Sequence, residues 1–178
     1  VYNHTRLFGV NALDIMRTKT LVGHLFDQSP HDIHPIVIGG HSTPTILPLL
    51  SHIPGLNWTQ EQVESVTKRI REAGNEVVMA KHGLGSATLS MAQAAAEFTL
   101  SLVKALSGDE QSLCAYVPSP DMDIPFFARP LVVGKEGICR YLNYDPLSTW
   151  EQSQLSRIIA ILRSEISEGY DAVAHAAT

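Results

Sequence analysis

Residues 86–106 constrain the fold of this chain more than any other stretch. Ala87, Leu89, Met91, Ala92, Ala94, Ala95, Ala96, Phe98, Leu100, Leu102 and Val103 put apolar side chains on nearly every face of the helix that the stretch predicts. Such a helix has to be covered on several sides. In a small domain the cover comes either from a central position or from a subunit interface, and the alanines permit close helix approach in both.

The neighbouring segments supply what such a helix can pack on. Thr59-Gln60-Glu61-Gln62 reads as a capping box, and Val63, Val66, Ile70, Ala73 and Val77 follow at spacings of three and four, which predicts an amphipathic helix with Glu64, Lys68, Arg71 and Glu72 facing water. Ser148-Thr149-Trp150-Glu151 is a second capping box, opening a helix with Leu155, Ile158, Ile159, Leu162 and Ile166 on one stripe, and the tail after Gly169 is expected to fray. Short apolar runs bounded by Gly and Pro read as strands at 7–10, 35–38, 45–50, 113–117, 126–133 and 138–144. Gly134-Lys135-Glu136-Gly137 reads as a hairpin turn, and the last three strands as an antiparallel meander. The expected class is α+β, with long helices packed on small, mainly antiparallel sheets.

Thirteen Lys and Arg against eighteen Asp and Glu give a net charge of −5, and no basic stripe with interleaved aromatics is present to follow a phosphate backbone. Nucleic acid is therefore not an expected partner. Apolar stretches are broken by Lys, Glu, Ser or Pro short of the roughly 18 residues that would suggest a membrane span, so no membrane partner is expected. Cys114 and Cys139 lack a neighbouring Cys or His in a metal-ligand spacing and read as small core residues. His4, His24, His31, His34, His52, His82 and His175 share no ligand-like pattern and read as surface groups, so no metal is expected. The start, Val1-Tyr2-Asn3-His4-Thr5-Arg6, lacks both an initiator Met and the order of a signal peptide, and the chain reads as beginning in mid-protein.

Three groups of residues can carry chemistry. In Leu13-Asp14-Ile15-Met16-Arg17, Asp14 and Arg17 share one face of a predicted helix; a salt bridge or a helix cap explains them as well as a functional site does. Gly39-Gly40-His41-Ser42 closes an apolar strand, where glycines let the backbone turn sharply and an imidazole can take a proton near neutral pH. Gly83-Leu84-Gly85 leads into the Ala-rich helix and can cradle an anion at a helix start, but it lacks the third glycine and the strand of a dinucleotide fingerprint.

Taken in order, these segments resemble the mitochondrial and bacterial type of malate dehydrogenase, within the lactate/malate dehydrogenase family, over almost the whole chain. Leu13-Asp14-Ile15-Met16-Arg17 is similar to that family's active-site signature, Ile38-Gly39-Gly40-His41-Ser42 to its catalytic-histidine strand end, and Gly85-Ser86-Ala87-Thr88-Leu89-Ser90-Met91 to its helix start near the nicotinamide. The Gly-Gly-His-Ser form also differs from the Gly-Glu-His-Gly usual in lactate dehydrogenases.

The resemblance implies that His41 accepts the hydroxyl proton of malate while a hydride passes to NAD. It implies further that Asp14 orients the imidazole, that Arg17 binds the substrate carboxylate, that Met91 packs on the nicotinamide, and that the protein is a homodimer. Three departures stand out: Asn11-Ala12 replace a usual Thr and the polar residue after it, Thr43-Pro44 replace a usual Gly and its neighbour, and His82 and Leu84 alter the turn before Gly85.

The family's dinucleotide turn, its ribose-reading acid, its mobile arginine loop and its substrate asparagine are not in the sequence. Residues 1–178 are therefore expected to be the substrate-binding, catalytic and dimerisation domain, a fragment inactive alone and without tight NAD binding. Another 2-hydroxy acid as substrate, or a silent dimerisation domain, remain the alternatives. Mitochondrial matrix and cytoplasm are the expected compartments, since Ala174-His175-Ala176-Ala177-Thr178 is not a peroxisomal Ser-Lys-Leu signal.

Overall fold

A computed structural model describes residues 3–176. The first two residues of the opening segment and the last two of the carboxyl-terminal pentapeptide, to which two of the expectations above refer, lie outside the described residues.

Four helices surround one sheet: α1 (Ala12–Phe26), α2 (Gln60–Ala80), α3 (Thr88–Leu106) and α4 (Thr149–Ala176). The strands are β1 (Val37–Gly39), β2 (Ile46–Pro48), β3 (Gln111–Pro118), β4 (Phe126–Gly134) and β5 (Gly137–Tyr141). They join in the order β2-β1-β4-β3, with β5 also on β4, and every pairing is antiparallel. The expected α+β class is what the structure has. Gly134 pairs with Gly137 across a two-residue turn, so the hairpin sits where the sequence places it.

Both capping boxes form. Thr59 Oγ1 accepts from the Gln62 N–H at 3.2 Å while the Gln62 side chain accepts from the Thr59 N–H at 3.0 Å. Ser148 and Glu151 repeat the exchange at 3.3 and 2.8 Å. Each box satisfies two donors that a helix start would otherwise leave unpaired.

The core follows the two periods. Leu155, Ile158 and Leu162 of α4 pack with Ile38, Leu47, Leu49 and Phe127, whereas Val37 and Ile46, one residue along their strands, pack with Ile70 of α2. Ala105 of α3 joins Ala115, Val117, Leu131 and Val133 of β3 and β4. A fully buried Ile or Leu contributes about 1.5–3 kcal/mol, so the α4 stripe is a principal source of stability. Arg71 Nε donates to the Ile46 carbonyl at 2.7 Å and ties α2 to β2, although burial lowers its pKa from the usual arginine value.

Several expectations need correction. Residues 7–10 form no strand: Gly9 alone bridges Tyr116, and Leu7 is 60% exposed. The runs at 35–38 and 45–50 shrink to three strand residues each, because the chain turns at Gly39 and curls into single helical turns around them. Cys139 is exposed on β5, a strand that pairs with β4 and also donates the Ile138 N–H to the Thr5 carbonyl at 2.8 Å, while Cys114 is buried and its thiol is pushed up to about 11 by burial. The last helix does not stop at Gly169, where no steric or cap feature interrupts it, and continues to Ala176.

The largest correction concerns α3. Only Ala94 and Ala105 are buried on it, and Leu89 is 86% exposed and Leu100 62% exposed. Of the two kinds of cover, the central position is not the one found. Among the described residues no helix is long and apolar enough to cross a membrane.

Glu151 is buried to 1% exposure, and its carboxylate also accepts from Ser51 Oγ at 2.6 Å and Ser51 N at 3.2 Å. Burial opposes its charge, but the hydrogen bonds from Ser51 and Ser148 outweigh burial and hold its pKa below the ordinary 4.5. The charged form is thus favoured more in the folded than in the unfolded chain, so Glu151 contributes stability above pH 4.5 that is lost as pH falls through its lowered value. Glu151→Gln is expected to cost about 1–3 kcal/mol at neutral pH. Thermal melts of both proteins across pH should show the gap closing below that range, and a gap independent of pH would contradict this account.

Candidate functional site

The site is built on the first turn of α1 and the end of β1. Asn11 is the residue before α1, and its carbonyl accepts from Asp14 N at 3.0 Å and Ile15 N at 3.2 Å, so Asp14 stands in the first turn, where the helix dipole favours a carboxylate. Its side chain is fully buried. Oδ1 accepts from Arg17 Nη1 at 3.1 Å, and Oδ2 accepts from His41 Nδ1 at 2.6 Å. Asp14 and Arg17 do form the salt bridge that their spacing allows, and the same carboxylate reaches across the fold to the histidine.

β1 delivers His41 through a backbone reversal that only glycine permits. Gly39 has φ +100°, and a Cβ on it would lie 2.0 Å from the Thr45 carbonyl oxygen. A Cβ on Gly40 would lie 2.6 Å from Thr45 Oγ1 and 2.7 Å from Leu162 of α4. Beyond His41, Ser42 Oγ lies 2.7 Å from Thr45 Oγ1 and donates to Glu165 Oε2 of α4 at 3.0 Å. Burial, with the nearby Glu165 and Tyr170 adding to it, pushes the Tyr116 phenol up to about 12. Both neighbours of His41 are therefore pinned while its own side chain stays 40% exposed.

An Asp14 carboxylate that already accepts from a guanidinium has only acceptor sites to offer the imidazole, so Nδ1 is the protonated ring nitrogen. That leaves Nε2 as the nitrogen able to take and return a proton. Arg17, 15% exposed, keeps donors in a fork that matches a carboxylate.

His41, Asp14 and Arg17 thus come together as one hydrogen-bonded group. Met91 is not part of it; it is half-buried in the first turn of α3, which packs on α1. Residues 81–84 are exposed and Gly85 is half-buried, with His82 at φ +52° and Gly83 at φ +76°, and Lys81 Nζ donates to the Ser86 carbonyl at 2.6 Å. The cleft of about 350 Å³ between α1, α3 and β3 is lined by Ala12, Ile15 and Met16, not by Asp14, Arg17 or His41. Among the described residues no group of three or more His, Cys, Asp or Glu could hold a metal.

Sequence reasoning missed Thr45 and Glu165, which hold the histidine turn. It also missed Gly74 of α2, which lies against the Arg17 guanidinium. An isolated glycine inside a helical pattern was the available signal for the last.

A carboxylate, an arginine and a histidine on an antiparallel α+β domain point to proton transfer beside an anionic group. Residues 11–173 match the family described as lactate/malate dehydrogenase, alpha/beta C-terminal domain. Malate dehydrogenases from Vibrio parahaemolyticus and Edwardsiella ictaluri are 49% and 51% identical over 172 residues, 96% of this chain and 55% of each relative. Among solved structures, a malate dehydrogenase from Salinibacter ruber has a TM-score of 0.83 at 22% identity, covering 98% of this chain and 58% of that one. A lactate dehydrogenase from Eimeria maxima, solved with NADH and oxamate, has a TM-score of 0.74 at 22% identity, covering 93% of this chain and 51% of that one; at such identity both speak to the fold alone. This chain belongs to the lactate/malate dehydrogenase family and corresponds to its carboxyl-terminal domain. It spans about 55% of the length of the malate dehydrogenases it matches.

Gly39→Ala is expected to destabilise the chain by at least about 2 kcal/mol, since it combines a left-handed backbone with overlap on the Thr45 carbonyl. Chemical denaturation measures this, and a loss below about 0.5 kcal/mol would show that the turn relaxes freely.

Proposed function

We propose that this chain supplies the proton-transfer and carboxylate-binding half of an NAD-dependent malate dehydrogenase, an oxidoreductase interconverting malate and oxaloacetate. The observation that carries the reading is the fully buried Asp14 held between Arg17 and the half-exposed His41. The identity of about half to malate dehydrogenases supports it at the level of the family.

In the direction of malate oxidation, His41 Nε2 accepts the proton of the substrate hydroxyl as the neighbouring carbon gives up its hydrogen as hydride. Asp14 fixes the tautomer that leaves Nε2 free and stabilises the imidazolium that forms, a division of labour known from other carboxylate–histidine pairs. Arg17 binds the carboxylate beside the reacting carbon through parallel charge-assisted hydrogen bonds. In the reverse direction the imidazolium returns the proton. NAD, when bound, supplies the hydride acceptor. Met91 offers an apolar surface for the nicotinamide, and the sequence has no Gly-x-Gly-x-x-Gly turn for the pyrophosphate, so the 178 residues alone are inactive and bind NADH weakly.

The test joins this chain to the part of the Vibrio parahaemolyticus malate dehydrogenase that lies outside the match. The chimera is expected to oxidise NADH with oxaloacetate and to prefer it to pyruvate. His41→Asn should lower kcat by about 10²–10⁴-fold, the usual weight of general acid–base catalysis, and Arg17→Lys should lower kcat/KM by about 10–100-fold. A folded chimera without turnover, or one indifferent to His41→Asn, would sink the reading; a preference for pyruvate would move it to another 2-hydroxy acid.

The exposed apolar residues of α3 favour a second role for the same chain, as the surface through which two copies form a homodimer. Leu100 and Val103, 62% and 51% exposed, are the residues such a contact would cover. Sedimentation velocity of the chain should show a dimer that Leu100→Glu dissociates, and a monomeric wild-type chain at high micromolar concentration would contradict this role.

A further inference from the structure

Two glycines lie inside the long helices without any backbone need to be glycine. Gly169 of α4 has nothing within 4 Å of the position its Cβ would take, so its side chain is missing from open space. Gly74 of α2 differs. Its Cβ would stand 3.3 Å from Arg17 Nη2, and the other two nearest heavy atoms, at 4.0 Å, are Cζ and Nη1 of the same arginine. Neither glycine has a positive φ, so alanine would suit the helix better at both places. The chain forgoes that gain at Gly74 where the neighbour is the guanidinium of the site.

A contact of 3.3 Å is too tight for a methyl group against a guanidinium that cannot move away. This one is held: Nη1 is bonded to the fully buried Asp14, and Asp14 is bonded in turn to His41. Adding a Cβ at position 74 therefore pushes the fork, and the push is resisted by a buried ion pair, where a shift of a few tenths of an ångström already weakens hydrogen bonds.

We propose that Gly74 is a positioning residue for Arg17: the bare α2 backbone at this point sets where the guanidinium fork stands, and with it how a substrate carboxylate is clamped. The substrate part rests on the reading of the site given above. The steric part does not. In that scheme Gly74 touches neither substrate nor the reacting atoms, and it acts only through Arg17.

The two parts are tested separately. In the 178-residue chain, thermal melts of Gly74→Ala and Gly169→Ala are compared in the native background and in an Arg17→Lys background, which keeps the positive charge beside Asp14 but removes the wide head. Gly169→Ala should raise Tm equally in both backgrounds, whereas Gly74→Ala should raise it more in the Arg17→Lys background than in the native one. Equal gains in both would overturn the proposal without touching the proposed function.

In the active chimera, Gly74→Ala should raise KM for oxaloacetate about 5- to 20-fold with kcat changed less than about 3-fold. Gly74→Val should be worse, and Gly74→Ala should be nearly silent when combined with Arg17→Lys. A KM unchanged by Gly74→Ala, or a loss that persists in full on top of Arg17→Lys, would overturn the assignment. A chimera without turnover would instead count against the function, and the melting comparison would still decide the steric claim.

Discussion

A buried carboxylate has to be partnered, and the placement of Asp14 imposes that requirement on everything around it. Taking its charge out of water costs several kcal/mol, which attraction and hydrogen bonding recover only with well-placed partners. One partner comes from its own helix and the other from a different element, so the charge fixes α1 against the end of β1. Arg17 then needs room beside α2, and His41 needs a backbone reversal, and each demand is met by a glycine. The geometry of the site is in this sense the solution to a desolvation problem.

The sheet supplies less rigidity near the histidine than its presence suggests. β1 and β2 are three residues each, and β1 meets β4 at a single register pair, Gly39 with Ala128. Ladders that short do not hold themselves. Their stability comes from the α4 stripe on one side and Ile70 of α2 on the other. His41 thus sits on a short turn clamped by helices, fixed at its flanks and open at its ring.

What could be read in the sequence was what depends on near neighbours. Both capping boxes, the hairpin at 134–137 and the pairing of Asp14 with Arg17 follow from residues three apart or from turn chemistry, and all are found. Contacts between distant residues were not legible: His41 is 27 residues from Asp14, and Ser42 is 123 from Glu165. The resemblance to a family supplied the first of these, and nothing supplied the second. For α3, composition showed that the helix needs cover but not that the cover is lacking within this chain. At Gly169 the reading failed the other way, because a glycine inside a helix lowers propensity without stopping a helix that has turns on both sides.

The dependence of the histidine turn on α4 also has a meaning in time. Leu162 and Glu165, which bear on Gly40 and Ser42, follow the turn by more than a hundred positions in the chain. A ribosome releases the turn long before it releases the helix that locks it. During synthesis the imidazole and its carboxylate can meet early, but the turn that carries the imidazole stays slack until the last helix docks. A chain cut short before α4 would hold Asp14, Arg17 and His41 and lack the clamp that keeps the histidine turn in register.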